Sequence, residues 1–203
     1  FLLMLKNYLT FDFGKSYFRD ISVLQLIKEK LPVSMSLGVW MTLLTYLISI
    51  PLGIRKAVRD GSPFDVWTSG VVIVGYAIPG FLFAILLIIL FAVQLGILPA
   101  SGMRTVGGPP SFLDQLRYLA LPVMTLTIAN IAQVTRYVRS GMIEVLREDY
   151  IRTARAKGLG VLPVLGHALR NAAIPIVTTI GVGIALLLGG VVVTETVFSI
   201  PGL

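Results

Sequence analysis

The chain has 203 residues, 56% hydrophobic and 13% charged, with a mean hydropathy of +0.88, where an ordinary globular domain runs at roughly 45–50% and 25%. These proportions exclude most soluble folds and describe a membrane chain. A net charge of +7 spread among long apolar runs fits the cytoplasmic excess of Lys and Arg in membrane proteins rather than nucleic-acid binding, and no cysteine with one histidine leaves no cluster for a metal.

Residues 1–30 mix aromatic and charged side chains without a sustained apolar run and are expected to form an external segment. Within it Asp12-Phe13-Gly14-Lys15 reads as a turn, and 23–30 as a short amphipathic helix with Val23, Leu26 and Ile27 inward. The opening lacks the basic stretch and cleavage site of a signal peptide. Because the sequence starts at Phe1 and stops after Pro201-Gly202-Leu203, it is expected to be a portion of a longer protein.

Four long apolar runs then predict four spans, over 31–54, 66–95, 118–138 and 172–197, uncharged but for Arg136 near the end of the third and Glu195 near the end of the fourth. About 20 residues suffice to cross roughly 30 Å of hydrocarbon. The first begins at Pro32, is broken near Pro51 and Gly53, and is followed by Arg55, Lys56 and Arg59 and the turn Asp60-Gly61-Ser62-Pro63. The second should kink at Ile78-Pro79-Gly80, since proline removes a backbone hydrogen bond and clashes with the preceding turn. A Gly/Pro-rich external loop follows, closed by a short interfacial helix over 114–117. The third run starts with Pro122 near its beginning and needs Arg136 and Arg139 to snorkel to the surface. The fourth carries Pro175 and several glycines, which permit close helix approach in lipid.

Orientation follows from the basic residues. The turn at 55–65 holds three and 136–170 holds seven, against two in the loop at 104–117, so the first two segments are cytoplasmic and both ends of this stretch are external.

Between the last two spans lies a polar segment, 144–171, far longer than a connection requires. Its acids come early (Glu144, Glu148, Asp149) and its bases late (Arg152, Arg155, Lys157), the order the helix dipole favours, with Leu146, Tyr150 and Ala154 on one stripe and Ile151 beside it. Gly158 supplies a left-handed stop, so a short amphipathic helix should end near Lys157. A second short helix should run through His167 to Asn171 before Pro175 opens the next span.

The run Asp149-Tyr150-Ile151-Arg152-Thr153-Ala154-Arg155-Ala156-Lys157-Gly158, with His167-Ala168-Leu169-Arg170-Asn171-Ala172 and Pro175, resembles the cytoplasmic loop of binding-protein-dependent ABC importer permeases of the dipeptide, oligopeptide and nickel branch. Counting back from Gly158, the Glu-Ala-Ala slots of the general loop pattern hold Arg152, Thr153 and Ala154. The acid is replaced by a base, which suits the peptide branch. Similarity extends through Gly14-Lys15-Ser16-Tyr17, Leu31-Pro32, Ile50-Pro51-Leu52-Gly53 and Glu195-Thr196-Val197-Phe198 to Pro201-Gly202-Leu203, over essentially the whole chain.

The resemblance implies an all-α polytopic membrane protein, the transmembrane domain of a type I ABC importer with one further span at each end. It implies a non-enzymatic permease subunit in the bacterial inner membrane, working by alternating access, with ATP and Mg on a partner. The implied partners are a second permease, identical or homologous, two cytoplasmic ATPase domains and an extracytoplasmic substrate-binding protein, and the implied cargo is a peptide, nickel chelate, glutathione or similar small solute. The ATPase-coupling residues it implies are Asp149, Tyr150, Ile151, Arg152, Thr153, Ala154, Arg155 and Gly158, with Tyr150 and Ile151 as the apolar anchor and Arg152 and Arg155 as a charged rim.

Other features carry less. Glu195 at the outer end of the last run is either interfacial or part of a gate or substrate path. Asn130 and Gln133 either bond neighbouring helices or line a pathway. His167 reads as a surface or capping residue, and Gly107-Gly108 and Gly158-Leu159-Gly160 lack the Gly-Lys-Ser/Thr of a phosphate loop, so no ATP site is expected in the chain. The rival class, a secondary transporter or channel driven by an ion gradient, predicts ionisable residues in mid-span. These runs have none.

Overall fold

The computed structural model describes residues 8–10, 12–16, 20–105, 107, 111–188 and 192–202, and its described elements are helical apart from an isolated bridge between Lys15 and Ser22. In chain order they are α1 (Val23–Val58), α2 (Pro63–Ala77), α3 (Gly80–Leu87), which passes into a π-helical stretch at Ile88–Gln94, α4 (Phe112–Leu146), α5 (Asp149–Ala156), α6 (Val161–Leu188) and α7 (Val192–Val197). Helices α1 and α4 are long and apolar enough to cross a membrane, and α2 with Gly80–Gln94 makes a third crossing if read as one span bent by 99°. The bend falls at Ile78 and Pro79, where the fixed proline φ and missing N–H end α2.

Helices α1 and α4 form the central pair and run in the same direction. Leu37 shares a core with Leu119 and Leu121, the Ser49 hydroxyl donates to the Ile131 carbonyl (3.4 Å), and Gly53 lies against Val138. Register therefore advances together along both helices. Helix α2 runs back along α4, with Asp65 beside Arg139 and Gly75 facing Ile128.

Apolar burial is concentrated at the two ends of this seam. One core gathers Leu37, Ala84, Leu87, Leu119, Leu121, Val123, Phe198 and Ile200. The other gathers Ala57, Val134, Val138 and Met142 with Ile151 of α5 and Val164, Ala168 and Ala172 of α6. Between them the buried α1 positions are small, Thr45, Ser49 and Gly53, spaced by four so that they stack on one face. That spacing lets backbones approach where lipid offers no hydrophobic drive for association.

Several boundaries differ from the sequence expectation, most in the direction of longer helices. Pro32 and Pro51 lie inside α1, and Pro122 inside α4, since a break within a membrane span would leave further backbone groups unsatisfied in lipid. The interfacial helix expected at 114–117 is simply the start of α4. The second short helix expected around His167 is part of α6, which continues from Val161 through Pro175. Conversely, the helix expected from Glu144 to Lys157 is split: α4 ends at Leu146 and α5 begins at Asp149.

The seam makes a direct prediction. A Cβ on Gly53 would sit 2.6 Å from Val138 Cβ and Cγ1 and 3.1 Å from the Thr135 carbonyl oxygen, so Gly53→Ala should destabilise the protein by about 1–3 kcal/mol. Gly80→Ala, which meets nothing within 4 Å, should not. Thermal unfolding in detergent measures both, and adding Val138→Ala to Gly53→Ala should recover part of the loss.

Candidate functional site

A network of buried and half-buried ion pairs lies at the basic end of the fold, where α1 turns into α2. Ser62 caps α2 by accepting the Asp65 N–H (3.3 Å), with Pro63 in the first turn. The cap fixes Asp65 one residue ahead of the apolar run. Lys56 and Asp65 are each only 3% exposed, and a buried charge must be paired and hydrogen-bonded. Lys56 Nζ lies 3.4 Å from Asp65 Oδ1 and donates to Ser69 Oγ (2.7 Å), Thr68 Oγ1 (3.1 Å) and the Asp65 carbonyl (3.3 Å). From α4, Arg139 clasps the same carboxylate with both arms, Nε to Oδ1 (3.0 Å) and Nη2 to Oδ2 (2.7 Å), and also reaches Asp60 (2.6 Å). Bidentate pairing of this kind is strong and directional. It holds the Asp65 carboxyl below the usual carboxylate range, against burial, which pushes the other way; the Gly61 N–H and Lys56 lower it further.

The network leads towards the polar segment. Arg147, in the break between α4 and α5, lies 3.8 Å from Asp60. Helix α5 follows at once. Its Ile151 is fully buried in the core shared with α1, α4 and α6, and Ala154 packs against that core. Ile151 is therefore not an outward anchor, as the sequence suggested; it is the root that fastens α5 to the long helices. The exposed residues are Asp149, Arg152 and Thr153, with Tyr150 at 42%. Tyr150 also accepts a hydrogen bond from Asn171 Nδ2 (2.6 Å), tying α5 to α6. The Arg152–Asp149 pair at 3.4 Å joins side chains 76% and 94% exposed and contributes little. The side chain of Arg155 lies outside the described residues.

Helix α5 ends in a Schellman turn: Gly158 has φ +80 and the Leu159 N–H donates to the Ala154 carbonyl (3.2 Å). The turn presents Leu159, Val161 and Leu162, which are 43%, 70% and 81% exposed. This apolar tip was not singled out from the sequence, because a Leu-Gly-Val-Leu string between two helices has no periodicity to mark which side faces out.

The three residues considered for a pathway lie apart. Asn130 donates to the Leu126 carbonyl (2.8 Å) and contacts Met41 Sδ (3.5 Å) across the α1–α4 seam. Gln133 is exposed and lines a cavity with Lys56 and Arg139. Glu195 lies towards the opposite core and is buried. It accepts a hydrogen bond from Ser34 (2.5 Å), its other oxygen has no partner among the described residues, and its carboxylate lies against Gly202. Lys56, Asp60 and Asp65 were read from sequence only as a basic turn, and Arg139 as a snorkelling anchor. The one available signal was an acid placed immediately before an apolar run, which requires a partner.

A family model described as "Binding-protein-dependent transport system inner membrane component" matches residues 49–203. The chain is 44% identical over 212 residues to the peptidoglycan transport system permease protein YejB of Agrobacterium fabrum, covering 100% of this chain and 58% of that protein. It is 43% identical over 209 residues to the inner membrane ABC transporter permease protein YejB of Escherichia coli O157:H7, covering 98% and 57%. With the oligopeptide transport system permease protein AppB of Bacillus subtilis it shares 41% identity over 205 residues, covering 100% and 65%. The chain thus spans less than two thirds of the length of these relatives.

Because Asp65 compensates two cations, Asp65→Asn should cost about 3–5 kcal/mol, the usual penalty for leaving a buried charge unpaired. Asp60→Asn, at a carboxylate 42% exposed, should cost no more than about 1 kcal/mol. The lowered Asp65 carboxyl contributes its stability at neutral pH and loses it as pH falls through and below the ordinary carboxylate range. Melting temperatures measured across that range should show less acid loss for Asp65→Asn than for wild type.

Proposed function

The chain belongs to the family of binding-protein-dependent transport system inner membrane components, and from that membership we propose that it is the permease subunit of an ATP-driven ABC importer for peptides or related small solutes. Its relatives are named as permeases of peptidoglycan and oligopeptide transport systems, which supports the solute class. In this reading the spans are 31–54, 66–95, 118–138 and 172–197, with one more at each end in a type I arrangement, in the bacterial inner membrane. ATP and Mg are held by two cytoplasmic ATPase domains, a second permease completes the pathway, and an extracytoplasmic binding protein delivers the solute.

The observation that carries this reading is the division of labour on α5. A helix of 8 residues is far too short to be stable alone, yet it is held in place by Ile151 in the core that also contains Ala57, Val138 and Ala168 of the long helices. Its other side, with Asp149, Tyr150, Arg152 and Thr153, and the adjoining tip at Leu159, Val161 and Leu162, faces outward. A partner gripping the outward side moves the spans through the inward one, so closure and reopening of an ATPase pair become outward and inward opening of the pathway. The chain itself performs no covalent step.

Two substitutions test the assignment in the intact permease reconstituted with its ATPase and binding protein. Leu162→Asp changes only an exposed side chain, so membrane insertion should be unaffected while recovery of the ATPase on co-purification falls at least tenfold and uptake is lost. Gly158→Val forces a β-branched residue to positive φ, costing roughly 1–2 kcal/mol, and should uncouple hydrolysis from uptake without preventing insertion. Full ATPase recovery and full uptake by both variants would rule out this surface as the coupling site.

A further inference from the structure

Beside the Lys56–Asp65–Arg139 network, a cavity of about 330 Å³ opens between α2 and α4, at the lower end of the range for small-ligand sites, roughly 300–1,000 Å³. Among the described residues its wall holds three cations, Lys56, Arg136 and Arg139, and no carboxylate. Two of these are compensated from behind by Asp65 and Asp60. Arg136 is exposed and has no hydrogen-bond or ion-pair partner among the described residues. Thr135, also on the wall, is 1% exposed, and its hydroxyl is buried without a hydrogen-bond partner. A buried hydroxyl left unpaired costs on the order of 1–3 kcal/mol, but this one is closed off from the cavity and offers it no donor.

We propose that this cavity binds the phosphodiester headgroup of an anionic glycerophospholipid from the inner leaflet. The site combines an uncompensated guanidinium and the amide of Gln133, both exposed, which can donate to phosphate oxygens. On α2 its wall presents Val72 and Ile73 between Ser69, which is engaged by Lys56, and Tyr76, an apolar strip against which an acyl chain fits better than a hydrated peptide carboxylate. A zwitterionic headgroup is disfavoured because no acid lines the wall to receive its ammonium. The cavity also lies where basic residues meet the apolar runs, the height at which basic pockets between membrane helices hold lipid phosphates. Bound there, the lipid bridges α2 to α4 one turn above the Asp65 clasp. This site depends on the chain lying in a membrane, and not on what the permease carries.

The test uses the intact permease in nanodiscs of phosphatidylcholine containing a one-fifth share of phosphatidylglycerol, followed by detergent extraction and quantification of the lipid each copy retains. Wild type should retain phosphatidylglycerol over phosphatidylcholine. Arg136→Gln should lower that retention about fivefold, the contribution of one basic contact at an anionic surface. Arg59→Gln removes an equal charge from an exposed position outside the cavity and should retain the wild-type amount. Equal retention by Arg136→Gln and wild type overturns the proposal, as does equal loss in Arg59→Gln, which would indicate only a general field. Displacement of the lipid by millimolar inorganic phosphate, or by a soluble peptide with a free carboxylate, overturns the lipid assignment in favour of a soluble anion.

Discussion

One carboxylate sets the geometry of the basic end. Apolar helices in lipid are poorly specified in rotation and height, since one oily face packs nearly as well as another and lipid competes with both. Asp65 removes that freedom. It accepts both arms of Arg139 from α4 and the ammonium of Lys56 from α1, so three helices can meet at only one register. Such a cluster adds little net stability over a well-packed apolar substitute, because desolvation offsets attraction. Its use is to specify: any sliding of α2 along α4 would strand a buried charge.

That specification matters because of what adjoins it. Met142, Val138 and Ala57 stand in one core with Ile151, and Arg147 reaches the same Asp60 that Arg139 holds. The short α5 is therefore positioned twice, by apolar burial underneath and by a charge network at its entry. At the far end of the same seam, Leu37 and Leu121 join Phe198, while the Gly102 N–H donates to the Phe198 carbonyl (2.8 Å). Helices α1 and α4, 36 and 35 residues long, connect these two ends as a closely packed pair. A displacement of α5 is accordingly a displacement of the pair.

The sequence disclosed what depends on local chemistry. Gly158 was readable as a helix stop because positive φ is a property of one residue, and the apolar runs were readable because a bilayer imposes a length on them. It misplaced what depends on packing. Pro32, Pro51 and Pro122 looked like boundaries and are interior to their helices. Ile151 sat beside an exposed-looking stripe and proved to be buried. The clasp of Asp65 by Arg139 joins residues 74 positions apart, and no periodicity reports a pairing at that distance. Membership of the family was legible before any of this, from the run at Asp149 to Gly158, since a short motif survives errors in helix length.

The inward turn of Ile151 strengthens the mechanical reading rather than weakening it. An interface that transmits force has two junctions in series, and the one meant to persist must be the stiffer. Here the inner junction is a fully buried isoleucine among Val138, Met142 and Ala168, where loss of such a side chain costs roughly 2–5 kcal/mol. The outer one offers Tyr150, Arg152 and Leu162, partly or largely exposed, a mixture of aromatic, guanidinium and aliphatic groups of the kind the proposed coupling would use. Had Ile151 faced outward, α5 would have lost its attachment to the long helices, and under the proposed coupling it would have peeled away from them under load.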